Sequence, residues 1–440
     1  MIKRYFYNKF LRDNVTYVMG FFLVGLLGYV FHFLISRQLS VPEYGELQSI
    51  LALYAILTVF GSAVSYFITK HAAVFAHHKD YRANKEFISF FKKRFGKVEI
   101  LFLVFFLVSS LWLSELLHLS NIWGLVFCIL AVFYGLLFSV YAGELNAWED
   151  FFSFNSISFI AAFTKLVLGF ILAVFFATAS MVALSFFISA LLAWYLARFT
   201  AQKKFLREGE HSAGKNWRLY FPNVIFKKVM LKTIVFSALF ILALNLDVLI
   251  VKVFTTTTIT GYYGALSLLG KMIFWINSAI IAVILPKAYA AGYWGKRAGK
   301  KVILVTYGLI VFLGLSAVLI YFLVPKLIVM ILFGQRYVIF SGSLWLFALM
   351  GLISSLFSLE VNFSYAKDDF RVLYILGATV VFLILGIYIF HKDIQEIIFV
   401  TDAILLAGYA AALAINTLFK KQFSASVYEP IIPPQGVIIK

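Results

Sequence analysis

Apolar residues run along this chain in unbroken stretches of helical length, separated by short polar segments that carry nearly all the charge. A helix that spans a bilayer needs about 20 predominantly apolar residues. Twelve stretches qualify: 15–35, 47–69, 98–117, 122–143, 154–177, 180–200, 229–252, 261–286, 302–324, 341–365, 370–390 and 396–419. The runs are continuous and do not alternate, which excludes a strand-built barrel. The first run is too long for a signal peptide, lacks a small-residue cleavage site and ends at Arg37, so it reads as the first span. The pattern predicts an all-α polytopic membrane protein.

Composition agrees, with 63% hydrophobic and 13% charged residues, against about 25% charged in ordinary soluble domains. A mean hydropathy of +0.95 excludes a water-soluble globule. The single cysteine, Cys128, lies inside an apolar run and excludes a disulfide scaffold. A net charge of +18 would suggest nucleic acid in a soluble protein. Here the charge sits in the loops, so no nucleic-acid partner is expected. With the N-terminus cytoplasmic, 31 of the 38 Lys and Arg residues fall in inside segments, and only Arg37, Lys252, Lys326, Arg336 and Lys392 fall outside. The positive-inside rule therefore puts both termini in the cytoplasm and the protein in the cell membrane. The stretches Lys3–Phe10 and Lys215–Pro222 mix cations with aromatics, as membrane-interface anchors do.

The chain also repeats itself. Tyr44-Gly45-Glu46-Leu47 opens the second span and Tyr263-Gly264-Ala265-Leu266 the eighth, 219 residues later. Six spans per half make the repeat parallel, with its axis along the membrane normal. The expected organisation is a lobe at 1–200, a basic cytoplasmic linker at 201–228 and a second lobe at 229–440. Two such lobes would flank a central cleft and suit alternating access.

An ionisable side chain near the bilayer centre costs about 2.5–3.5 kcal/mol and needs a reason. The candidates are His32, Lys165, Asp247, Lys271 and Glu360, with Glu115 and Asp402 nearer the outer surface. Lys271 shares a narrow face with Gly264, Ser267, Trp275 and Ser278, and Lys165 shares one with Ser158, Ala161, Ala162 and Gly169. Such stripes line either a packed interface or a wet cavity. In a cavity, the two lysines would attract an anion such as a phosphate. Asp247 either pairs with Lys271 or carries a coupling ion. Glu360 points away from the polar stripe Gly351, Ser354, Ser355, Ser358 and Asn362, and lies close to the cytoplasmic surface. His32 reads as a neutral, hydrogen-bonded histidine, and Arg37 as a candidate at the outer end of the first span. No metal-ligand cluster, phosphate loop or nucleophile constellation is present in the sequence, and no cofactor is implied.

Three motifs carry a family resemblance. Arg37-Gln-Leu-Ser-Val-Pro-Glu-Tyr44-Gly45 resembles the arginine-to-glycine signature of polysaccharide flippases in the multidrug, oligosaccharidyl-lipid and polysaccharide exporter superfamily. Asn245-Leu-Asp247 with Thr260-Gly261-Tyr-Tyr-Gly264 is similar to the segment opening the second lobe, and Phe333-Gly334-Gln-Arg-Tyr337 to a third recurring element. Relatives often have Leu-Gly-Pro where this chain has Leu39-Ser40-Val41. The resemblance implies a non-enzymatic flippase that turns an undecaprenyl-pyrophosphate-linked oligosaccharide to the outer leaflet, with other polysaccharide-assembly proteins as partners. On that reading Lys165, Lys271, Arg37 and Trp275 would meet the substrate. The rivals are a cation-coupled multidrug exporter of the same superfamily, and a membrane glycosyltransferase or polymerase, which the short outer loops disfavour.

Overall fold

In hydrocarbon every backbone N–H and C=O must find a partner within the chain, and a continuous apolar run does so only as a helix. The computed structural model describes residues 2–206, 217, 225–293, 296–366 and 369–418, and these contain no strand. The helices are α1 (Ile2–Gln38), α2 (Val41–Leu57), α3 (Val59–His78), α4 (Tyr81–Leu116), α5 (Trp123–Ala147), α6 (Phe151–Phe176) and α7 (Ala179–Ala201). After a π turn at Gln202–Leu206 follow α8 (Ile225–Phe254), α9 (Thr257–Tyr293), α10 (Lys296–Leu323) and the short α11 (Pro325–Leu332). A 3-10 segment, Gln335–Ser343, then leads into α12 (Leu344–Ala366), α13 (Val372–Ile389) and α14 (Ile394–Leu418). Among the described residues, twelve helical stretches are long and apolar enough to cross a membrane, with α2 and α3 counted as one. The protein is a multi-pass, all-α membrane protein.

The interior of the linker and the C-terminal tail from 419 onward lie outside the described residues, as does the anchor at 215–222 apart from Trp217. Trp217 is buried against Phe87 and Phe90, at ring distances of 5.7 and 4.9 Å.

Several helices overrun their apolar segments. α4 starts at Tyr81, nearly five turns before the predicted span, with Ala83, Phe87 and Phe91 buried at helical spacing. Its opposite face is basic, so hydropathy alone does not register it. The second span is interrupted at Thr58, whose hydroxyl donates to the Ala55 carbonyl at 2.8 Å. Such back-bonding competes with the helical ladder and bends it. An outer loop was expected between 325 and 340; α11 and the 3-10 segment fill it. Pro325 begins α11, where its missing N–H costs nothing. Gly334, at φ +99°, ends it by returning its N–H to the Met330 carbonyl.

Packing divides the chain into two compact units, Met1–Gly264 with Met330–Tyr337, and Ala265–Val329 with Val338–Lys440. In the first, α5, α6 and α7 pack against one another and α1 lies along α6. Small residues set these contacts: a Cβ on Gly143 would stand 2.6 Å from the Ser65 carbonyl, and one on Gly45 only 2.2 Å from the Thr257 carbonyl. In the second unit α12 is buried along most of its length and packs against α10 and α14. A Cβ on Gly351 would meet the Gly270 carbonyl at 2.1 Å, so α9 and α12 touch backbone to backbone. Ser354, Ser355 and Ser358 are buried, and Asn277 donates to Ser355 Oγ at 3.1 Å. That polar stripe lies within a packed core. Leu101, Val104, Phe105, Val108, Leu111 and Trp112 of α4 are exposed, as a lipid-facing surface requires.

The α5–α6 turn is fixed by Asp150, which accepts the Ser153 N–H at 3.3 Å and the Lys204 ammonium at 2.7 Å. Burial opposes ionisation there, but the Lys204 and Ser153 hydrogen bonds win and hold its carboxyl below the usual range.

Two outcomes follow from these contacts. Gly45→Ala should lower the thermal midpoint of the detergent-solubilised protein, since overpacking costs about 1–3 kcal/mol. Gly25→Ala, where a Cβ meets nothing within 4 Å, should not lower it. Because the Asp150 pKa is depressed, its contribution is present above the ordinary carboxylate pKa and lost as pH falls through the folded value. Thermal midpoints of wild type and Asp150→Asn should therefore differ at pH 7 and converge on strong acidification.

Candidate functional site

The three motifs behind the resemblance meet in the first unit, at the end the charge pattern assigns to the outside. Ser40 caps α2 and Val41-Pro42 start it, which sets Tyr44 one turn in and fully buried. Its ring meets Tyr337 at 5.8 Å and Phe333 at 6.1 Å, both edge-on. Its hydroxyl lies 3.2 Å from His32 Nδ1, and Gln48 Nε2 donates to it at 2.5 Å. His32 is hydrogen-bonded, as expected from the sequence. Gly45 and Gly261 bring α2 and the first turns of α9 into backbone contact.

Charged groups at this end are engaged structurally. The Arg37 guanidinium donates to the Ile331 carbonyl and satisfies the C-terminus of α11. Glu43 accepts the Ala179 N–H at 2.6 Å and so caps α7. Glu46 accepts both the N–H and the hydroxyl of Ser120 at 2.9 Å. Lys252 is fully buried and donates to Thr257 Oγ1 at 2.7 Å. Asp247 is buried and accepts the Tyr263 hydroxyl at 3.2 Å. Sequence reasoning missed Glu43, Glu46 and Tyr337, whose partners lie 74 to 301 residues away.

Lys165 stands in a different environment. It projects from the middle of α6, and its ammonium lies 4.9 Å from the centre of the Phe186 ring and 5.4 Å from that of Phe31. Gly169, one turn on, makes this possible: a Cβ there would stand 2.5 Å from the Phe31 ring. The two rings attract the cation without neutralising it. No ion pair involves Lys165 among the described residues. Phe31 and Phe186 also escaped sequence reasoning, because cation–π partners leave no local spacing signal.

In the second unit, Lys271 is half-buried on α9, between buried Ser267 and half-exposed Trp275. Glu360 is 2% exposed, in the last turns of α12. Asn416 of α14 donates to its Oε2 at 2.6 Å, because the side chain points into the α12–α14 packing. Asp402 is also buried, and neither of its carboxylate oxygens has a hydrogen-bond partner. No metal-binding group of three or more ligands occurs among the described residues.

No family model matches the sequence, and no curated protein sequence matches it. Solved structures do match. An inward-facing multidrug resistance MATE family transporter of the MOP superfamily superposes with a TM-score of 0.69 at 12% identity, covering 91% of this chain and 96% of that one. The lipid II flippase MurJ, in an inward closed conformation, gives 0.69 at 14% identity over 92% of this chain and 88% of that one. An outward-facing MATE family transporter gives 0.60 at 15% identity, over 94% and 96% of the two chains. At these identities the likeness establishes the fold, which this chain shares with both kinds of protein over nearly its whole length.

Proposed function

We propose that this chain is a flippase that moves a polyprenyl-pyrophosphate-linked oligosaccharide from the cytoplasmic to the outer leaflet, by alternating access and without covalent chemistry. The observation that carries this reading is Lys165, a cation at mid-helix held by two phenyl rings and paired with no carboxylate among the described residues. Placing such a charge in a membrane costs several kcal/mol unless an anion joins it. A pyrophosphate is that kind of anion, and it cannot cross hydrocarbon unaided. Lys271 is the intramembrane lysine of the second half, and we assign it a contribution of its own to export of the same substrate. Asp247 and Glu360, each hydrogen-bonded by a neutral partner, serve this reading as structural carboxylates.

The shared fold with a lipid II flippase supports a lipid-linked substrate. The likeness to multidrug MATE transporters favours a second reading, export of lipophilic cations. A cation exporter calls for acids more than lysines in its binding site.

Charge-assisted contacts to phosphate are worth about 1.5–3 kcal/mol each, or about tenfold to a hundredfold in affinity. Lys165→Ala should therefore reduce export of lipid-linked glycan by about that factor, in cells whose surface glycan depends on this protein alone. Protein level and membrane insertion should stay unchanged, because no carboxylate loses its partner. Lys165→Arg should keep much of the activity, and adding Lys271→Ala to Lys165→Ala should deepen the loss. Full transport by the double alanine variant would overturn the reading. Efflux of tetraphenylphosphonium by the wild type, with no effect on glycan export, would put the multidrug reading in its place.

A further inference from the structure

A cavity of about 660 Å³ opens on the first unit, walled by α2, α3, α5 and α6. Its size falls within the range of small-molecule sites, about 300–1,000 Å³. None of its lining residues is charged, and four of the polar ones share one property. Thr58, Ser62, Thr69 and Ser139 each donate their hydroxyl proton to a backbone carbonyl of their own helix, at 2.6 to 3.4 Å. A hydroxyl has one proton to give and two lone pairs to offer. These four side chains therefore have only acceptor capacity left. Asn146 also lines the cavity, its Oδ1 covered and without a hydrogen-bond partner. The wall is neutral and polar, with donors (the Tyr54 and Ser65 hydroxyls and the Asn146 amide N–H groups) as well as acceptors, and aromatic rings such as Phe154 are set into it.

A ligand that fits must bring donors and acceptors together, carry no charge and show an apolar face to the rings. A phosphate finds no cation in this wall to offset its desolvation. A lipophilic cation finds no carboxylate to offset its desolvation. A neutral sugar meets all three demands. Location points the same way, since the Tyr54 ring packs edge-on against Phe186 at 5.5 Å, and Phe186 holds the Lys165 ammonium. In a glycosyl pyrophosphate the first sugar is bonded directly to phosphate, so its pocket must adjoin the phosphate-binding cation.

We propose that this cavity is the glycan subsite, which takes the sugar next to the pyrophosphate while Lys165 holds the phosphate. The assignment rests on the flippase reading and specifies how much of the substrate the protein reads.

The test is a binding titration of the full chain in lipid nanodiscs, with undecaprenyl pyrophosphate and with the same lipid carrying one N-acetylglucosamine. Wild type should bind the sugar-bearing lipid about tenfold more tightly, the factor that one or two net hydrogen bonds supply. Gly135→Met fills the cavity from a position where a Cβ meets nothing within 4 Å, and it replaces glycine with a better helix former. Asn146→Leu removes the partnerless acceptor. Each variant should erase the preference for the sugar-bearing lipid and leave the affinity for undecaprenyl pyrophosphate within about twofold. Lys165→Ala should weaken both lipids alike. A sugar preference that survives Gly135→Met, with an unchanged thermal midpoint, would overturn the glycan pocket and leave the flippase reading intact. Unchanged binding of both lipids by Lys165→Ala would instead overturn the reading on which the pocket rests. Tetraphenylphosphonium binding to wild type that Gly135→Met abolishes would reassign the cavity to cations.

Discussion

Helices in lipid gain no hydrophobic energy by touching one another, because a lipid tail is as apolar as a leucine. Their association rests on close van der Waals approach, which requires small residues wherever two helices meet. That constraint places most of the features of this protein. Gly143 lets α5 reach α3, Gly45 and Gly261 let α2 reach the start of α9, and Gly270 with Gly351 let α9 reach α12. Gly169 does more than permit packing. The space it leaves on α6 is filled by the Phe31 ring, and that ring becomes one of the two supports of Lys165. Removing one side chain from a helix thus creates the seat for a cation one turn away.

Charge in the membrane is handled in two ways. At the end assigned to the outside, charged groups serve backbone termini and hydroxyls: Arg37 a helix C-terminus, Glu43 a helix N-terminus, Glu46 a serine, Lys252 a threonine. These contacts satisfy orphan groups that would otherwise face hydrocarbon. They also explain why the motif from Arg37 to Gly45 is dense in polar residues. Lys165 has no such task. Its partners are rings, which stabilise the charge and leave its hydrogen-bond donors free for a ligand.

The twelve spans were legible in the sequence because membrane helices announce themselves by uninterrupted hydropathy. What hydropathy weighs lightly was lost: the basic-faced start of α4, the short α11 and the bend at Thr58 all depend on amphipathicity or on one side-chain hydrogen bond. The intramembrane ionisable residues were legible as anomalies. Their environments were not, since a periodic pattern reports which face a residue occupies and says nothing of what lies opposite. Glu360 is the clearest instance. Its position off the polar stripe is correct, yet its partner Asn416 sits 56 residues further on, in another helix. The cavity left no trace in the pattern either. Its hydroxyls lie on α2, α3 and α5, and serines and threonines facing their own carbonyls look alike whether or not a void stands beside them.

The contrast between the cavity and Lys165 bears on how a large substrate can be carried at all. A site that bound head group and sugar through charge throughout would hold both too tightly to release them on the far side. Neutral polar groups hold a sugar weakly, bond by bond, because each net hydrogen bond exchanges for one with water. A single ammonium holds a phosphate more strongly and without demanding a fixed geometry, since an ammonium is a compact point charge on a flexible stem. Binding strength concentrated at one lysine, beside a neutral polar wall, leaves the rest of a glycan free to vary while its linkage to phosphate is recognised. A carrier built this way discriminates by the head group and its first sugar, and tolerates whatever chain extends beyond them.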